Sequence, residues 1–164
     1  MSTSSRKDIE FLTQVRNKTE GATKVNVAAS ATLIYPGDLV ACAPGTVVGS
    51  LMATNKPVVA TDYLLGIAVS TSTNTAALAG YVEVVMVDSG DVLLITPNVA
   101  ATWDTQAEYD ALVGKRVLID LTAAKYTILA ADNSTYGCVI QPLDILKYPG
   151  KVAFSFRAGV STLA

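Results

Sequence analysis

From Leu33 onward the chain is a succession of short apolar runs cut by turn residues, and this punctuation restricts it to a fold built from strands. Residues 39–43 lie between Pro36-Gly37 and Pro44-Gly45, dipeptides in which Pro presets φ and Gly accepts the left-handed region. Residues 63–69 are nearly all apolar and interrupted by Gly66, the pattern of a buried strand with a bulge or a close backbone contact. Residues 81–87, the turn Asp88-Ser89-Gly90-Asp91 and residues 92–95 predict a hairpin. In it Val82, Val84 and Met86 share one face, and Tyr81 and Glu83 share the other. Residues 116–121 alternate with Val117, Ile119 and Leu121 inward, and residues 125–129 and 136–140 follow as strands. The cleanest alternation is 151–157: Val152, Phe154 and Phe156 inward, Lys151, Ser155 and Arg157 outward. Val and Thr supply 38 of the 164 residues, and their branched side chains suit a pleated surface.

One helix interrupts the strands. Thr105 with Glu108 forms a capping box, Tyr109, Leu112 and Val113 form an apolar stripe, and Gly114 fits the position just past the helix end. The expected fold class is therefore mainly all-β: a compact β-barrel or sandwich with one short helix and an N-terminal arm.

The arm is residues 1–30, and residues 31–164 form a single β-rich domain. Within the arm, Ile9, Leu12 and Val15 are spaced as one helical stripe, and Ser5 with Asp8 resembles a capping box. So short a helix is marginal alone and must dock to persist. Residues 1–24 hold five basic groups (Arg6, Lys7, Arg16, Lys18, Lys24) against three acidic (Asp8, Glu10, Glu20). Arg6, Ile9, Leu12, Val15 and Arg16 are accordingly the candidate partner-binding residues.

The chain is 51% hydrophobic and only 16% charged, with a mean hydropathy of +0.40. Apolar surface that a thin polar coat leaves uncovered marks an interaction site, so an oligomer is expected. The two longest uncharged stretches, 39–55 and 63–82, are broken by Pro, Gly or polar runs, and neither supplies the roughly 20 apolar residues of a membrane span. Asp8 and Glu10 stand where a secretory leader would carry its apolar segment, so secretion by that route is not expected. A net charge of −2 without clustered Lys and Arg argues against a nucleic-acid partner. Cys42 and Cys138 sit in separate apolar stretches and are expected to be buried free thiols rather than a bridge.

The chain has no histidine, which removes the commonest general base, the commonest metal ligand and every Ser-His or Cys-His nucleophile. Two isolated cysteines do not make a structural zinc site, and no phosphate-binding glycine loop is present. Asp88 and Asp91 flank a turn, where Asp is a routine turn former facing solvent. Asp104, Glu108 and Asp110 sit near a helix start, where carboxylates favour the dipole. Trp103, the sole tryptophan, either packs under the helix or offers a stacking platform to a sugar. No enzymatic activity, catalytic residue, cofactor or metal is expected.

Pro36-Gly37-Asp38-Leu39-Val40, then Leu64-Leu65-Gly66-Ile67-Ala68-Val69, then Gly80-Tyr81-Val82-Glu83-Val84 and Ser89-Gly90-Asp91-Val92 recur in an order that resembles the decoration, or cement, proteins of tailed-bacteriophage capsids. The similarity covers about residues 36–96. It implies a structural virion protein, made in the host cytoplasm, that sits as a homotrimeric β-barrel on the capsid surface. There it would bind the major capsid protein and clamp neighbouring subunits. The long N-terminal segment and the helix near Gln106 depart from that pattern. A carbohydrate-binding head-fibre or adhesin module is the alternative.

Overall fold

The computed structural model describes residues 9–13, 21–42, 46, 48–51, 63–88, 90–98, 103–122, 125–129, 132, 134 and 136–156. Among them are twelve strands and one helix, so the chain is a mainly-β protein with a closed barrel. The barrel joins β2 (Thr23–Val27), β4 (Val48–Leu51), β3 (Leu39–Cys42), β5 (Tyr63–Ala68) and β6 (Gly80–Met86) in that spatial order. Only the β2–β4 seam is parallel. A second sheet runs β1 (Ile9–Thr13), β7 (Val92–Ile95), β12 (Val152–Phe156), β11 (Cys138–Ile140), β8 (Arg116–Val117), and β9 (Ile119–Thr122) pairs with β10 (Lys125–Ile128) beside it.

Two apolar clusters follow from this layout. Val25, Val27, Ile34, Val40, Ala68, Val82 and Val84 fill the barrel. The larger cluster lies outside it, where Leu39, Ala41, Leu64 and Ile67 on the outer wall meet Leu93, Ile95, Phe154 and Phe156 of the second sheet. This explains why β3 and β5 read as continuous apolar runs: alternate residues enter different cores, and all four residues of β3 are buried. Gly66 combines both expected features. Between β3 and β5 the register skips Leu65, a bulge, and a Cβ on Gly66 would fall on Val85 O of β6.

The Pro36-Gly37 turn forms as expected: Gly37 has φ +92°, Asp38 N donates to Tyr35 O (3.0 Å), and Tyr35 N donates to Asp38 Oδ2 (2.8 Å). The Pro44-Gly45 turn lies outside the described residues.

Several expectations are corrected. The segment with Ile9 and Leu12 is strand β1, paired antiparallel with β7, and not a helix. A short isolated helix gains little, whereas the edge of β7 satisfies the backbone and buries Ile9 in the larger core. The same pairing, with Val25 and Val27 of β2 inside the barrel, makes residues 9–13 and 23–27 parts of the two sheets rather than an arm.

The predicted hairpin of 81–95 also does not form: β6 pairs with β2 and β5, and β7 pairs with β1 and β12. The turn at 88–91 is instead the corner between barrel and second sheet. Asp88 and Asp91 are buried there and do not face solvent, while Gly90 is exposed. Their role is still turn formation: Asp88 N donates to Asp91 Oδ2 (2.9 Å) and Asp91 N to Asp88 O (3.1 Å).

In β12, all five residues are buried, including Ser155, because the strand is central and its second face is covered too. Residues 116–121 divide at Leu118, which is buried, into β8 and β9.

Candidate binding surface

The helix α1 (Gln106–Asp110) covers part of the second sheet and positions an exposed loop. Thr105 caps it, accepting from Glu108 N (3.3 Å) while its hydroxyl donates to Glu108 Oε2 (2.7 Å). The helix is shorter than the stripe predicts. It gives way to a turn over 111–114 that ends at Gly114 with φ +83°, where Gly114 N donates to Ile140 O (2.9 Å). Leu112 and Val113 still pack on the core.

Tyr109 bolts α1 to the sheet. Its ring is fully buried, and its hydroxyl accepts from Ala153 N (2.9 Å) and donates to Gln141 O (2.9 Å). Burial pushes that hydroxyl up to about 12 from its usual 10. Tyr109→Phe leaves the buried Ala153 N–H without this acceptor and is expected to cost about 1–3 kcal/mol in urea unfolding. Between pH 10 and about 12 the folded chain keeps a proton that the unfolded chain releases. Stability from this group is therefore complete below pH 10 and is lost as pH rises through about 12. The phenylalanine variant should show a shallower alkaline decline than the wild type.

Gln106 then pins the loop that follows β11. Its Nε2 donates to Leu143 O (3.0 Å) and its Oε1 accepts from Ile145 N (3.2 Å). Asp144 closes the loop's turn, its Oδ1 accepting from Leu146 N (3.0 Å) and its backbone oxygen from Tyr148 N (3.1 Å). The result is a rigid loop that presents Leu146 at 89% exposure. Clefts lie on either side of it. One of about 410 Å³ is lined by Pro97, Trp103, Asp104, Ile145 and Lys151, among others; the other, of about 570 Å³, by Gln106, Asp110, Pro142 and Asp144. Leu146 is thus a fixed, solvated apolar knob between two clefts.

Trp103 takes the packing alternative. It is buried with its ring centroid 6.0 Å from that of Tyr109, so its face is closed to a sugar. Asp104 is raised first by its hydrogen bond to Glu108, and Glu108 is lowered first by the Thr105 hydroxyl. Both are exposed, and their interactions are those of a helix cap. Cys42 and Cys138 are free and buried, and burial raises both thiols, Cys138 well above the usual 9.0, so neither is a thiolate near neutral pH.

Among the described residues no group of three or more His, Cys, Asp or Glu could hold a metal ion, and no helix is long and apolar enough to cross a membrane.

Of the sequence-predicted partner residues, Ile9 is buried and Leu12 packs on the same core, so Ile9 is not offered to a partner. Arg6, Val15 and Arg16 lie outside the described residues. The Leu146 loop was not among the candidates. Its one signal is an apolar pair, Ile145-Leu146, bracketed by Pro142 and Pro149-Gly150. No protein-family model matches the chain, and neither a curated protein nor a solved structure was found to be similar to it.

Proposed function

We propose that the chain is a structural virion protein, a decoration or cement protein that seats on the outside of an icosahedral bacteriophage capsid as a homotrimer and bridges neighbouring copies of the major capsid protein. The observation that carries the reading is where the motif residues fall. Pro36–Val40, Leu64–Val69 and Gly80–Val84 form or flank β3, β5 and β6, three consecutive barrel strands, and Asp91-Val92 closes the corner to the second sheet. The motif is thus the barrel's own framework, which is what a resemblance of fold requires. The Leu146 knob supplies a rigid apolar contact for the shell. The reading assigns no catalytic residue, cofactor or metal. A carbohydrate-binding head-fibre or adhesin module would need an open aromatic platform, and Trp103 does not provide one.

The test is to mix the purified chain with undecorated phage heads and pellet them. Saturable binding at a fixed ratio to the major capsid protein is expected, with Leu146→Ser releasing a large part of it. A chain that stays in the supernatant defeats the proposal. Specific spots on a glycan array from that same chain would favour the adhesin reading.

A further inference from the structure

The barrel carries an outward face built across five bonded segments. Ser72 N donates to Ile34 O (2.9 Å) and Ile34 N to Ser72 Oγ (3.0 Å). Thr73 N donates to Tyr81 O (2.9 Å) and Tyr81 N to Thr73 Oγ1 (3.0 Å). Asn26 of β2 is in register with Tyr81 of β6 on one side and Val48 of β4 on the other. Leu33, Thr73, Tyr81, Asn26 and Val48 therefore succeed one another, each exposed and each alternating with buried neighbours such as Ile34, Asn74, Val82, Val27 and Gly49. A cleft of about 550 Å³ lies between Tyr81 and Val48, and Leu78 stands nearby, 68% exposed.

Two properties set this face apart. It is almost free of charge: residues 28–35, 46–51 and 69–82 contain no Asp, Glu, Lys or Arg. At its border Lys24 and Glu83 are cross-strand neighbours, and Lys24 Nζ lies 4.5 Å over the Tyr81 ring. It is also pre-organised. Ser30 N donates to Thr75 O (2.9 Å), Ser30 Oγ to Ala76 O (2.7 Å) and Asn74 Nδ2 to Ala31 O (2.9 Å), so its two long loops are tied together before any partner arrives.

We propose that this face is where a second copy of the chain docks. Near a symmetry axis a patch meets its own charges, so a surface of one sign repels its copy and a charged one must be desolvated. A face whose only bordering charges among the described residues are one Lys–Glu neighbour pair escapes both costs, and Leu33, Val48, Leu78 and Tyr81 supply the apolar contact. The Leu146 surface fails the same test. It carries Asp104, Glu108, Asp110 and Asp144 against Lys147 and Lys151, so two copies of it repel and it is left for a different partner.

The inference rests on the homo-oligomeric part of the proposed function and not on capsid binding. Sedimentation velocity of the full chain at micromolar concentration tests it. The wild type should sediment as more than one 17.1 kDa chain. Leu33→Lys/Leu78→Lys should weaken association at least about tenfold, because it places charge opposite charge. Leu146→Lys, equally exposed but on the other surface, should leave association unchanged. If the double variant loses its circular-dichroism spectrum, Asn26→Lys, at the centre of the face, replaces it. A monomeric wild type overturns oligomer and face together. An oligomer that the face variants do not weaken, or that Leu146→Lys breaks, overturns the face alone. Head pelleting is a separate readout, so failure to bind capsids is distinguishable from either.

Discussion

Gly66→Ala is expected to cost at least about 3 kcal/mol, enough to leave little folded protein at 37 °C. The added Cβ would land on Val85 O and 2.8 Å from Val84 Cγ1. Neither neighbour can retreat cheaply. Val85 O belongs to the backbone of β6, which is held in register with β5 through Gly66↔Met86 and Ile67↔Val85, and Val84 is part of the barrel core. Relief would require parting two strands of a closed barrel, so the cost exceeds that of ordinary overpacking. Gly114→Ala is the useful comparison. A Cβ there meets nothing within 4 Å, but φ is +83°, so only the left-handed penalty of about 1–2 kcal/mol applies. Urea midpoints should separate the two variants clearly. Equal midpoints would mean that the barrel does not close around Gly66 as described.

Phe154→Ala should lower stability by about 3–5 kcal/mol, the range for deleting a large buried ring. Phe154 lies in the middle of β12, is fully buried, and meets Phe156 edge-on at 5.4 Å between ring centroids. Its strand is held on both sides, by β7 and β11, so the backbone cannot collapse far into the space left behind. The melting temperature should fall by roughly 6–20 °C for a chain of this size. Ser155→Ala, next along the strand, removes one hydrogen bond, from Gln141 Nε2 (2.9 Å), and should cost only about 1 kcal/mol even though Ser155 is buried. Thermal melts that place the two variants together would show that the large core does not centre on Phe154.

Features that depend on a few neighbouring residues were legible in the chain. The Pro36-Gly37 turn, the Thr105–Glu108 cap, the positive φ at Gly114, the bulge and close contact around Gly66, and the inward set Val82, Val84, Phe154 and Phe156 all follow from backbone sterics or a period of two, which act over a few residues. The turn, the cap and the positive φ hold whichever strand lies alongside.

Tertiary structure alone decided the partners and therefore what those local pieces mean. The 88–91 turn forms as its residues dictate, yet its two strands go to different sheets, because closing the barrel with β2 gives β6 a neighbour that β7 would otherwise supply. That choice buries the two Asp residues that turn chemistry alone would leave at the surface. Ile9 and Leu12 fit a helical stripe while Ile9 and Phe11 fit one face of a strand, and the open edge of β7, about 80 residues away, selected the strand. Ser155 has the polarity of an outward residue, and only the arrival of α1, Tyr109 and Gln141 on that side of β12 buried it. The candidate surfaces divide in the same way. The absence of charge from 28–35 and 69–82 is plain in the sequence, but hydrogen bonds between segments more than 40 residues apart made those stretches one face. Local sterics write the pieces; burial is a property of pairs of distant segments, and no single segment encodes its partner.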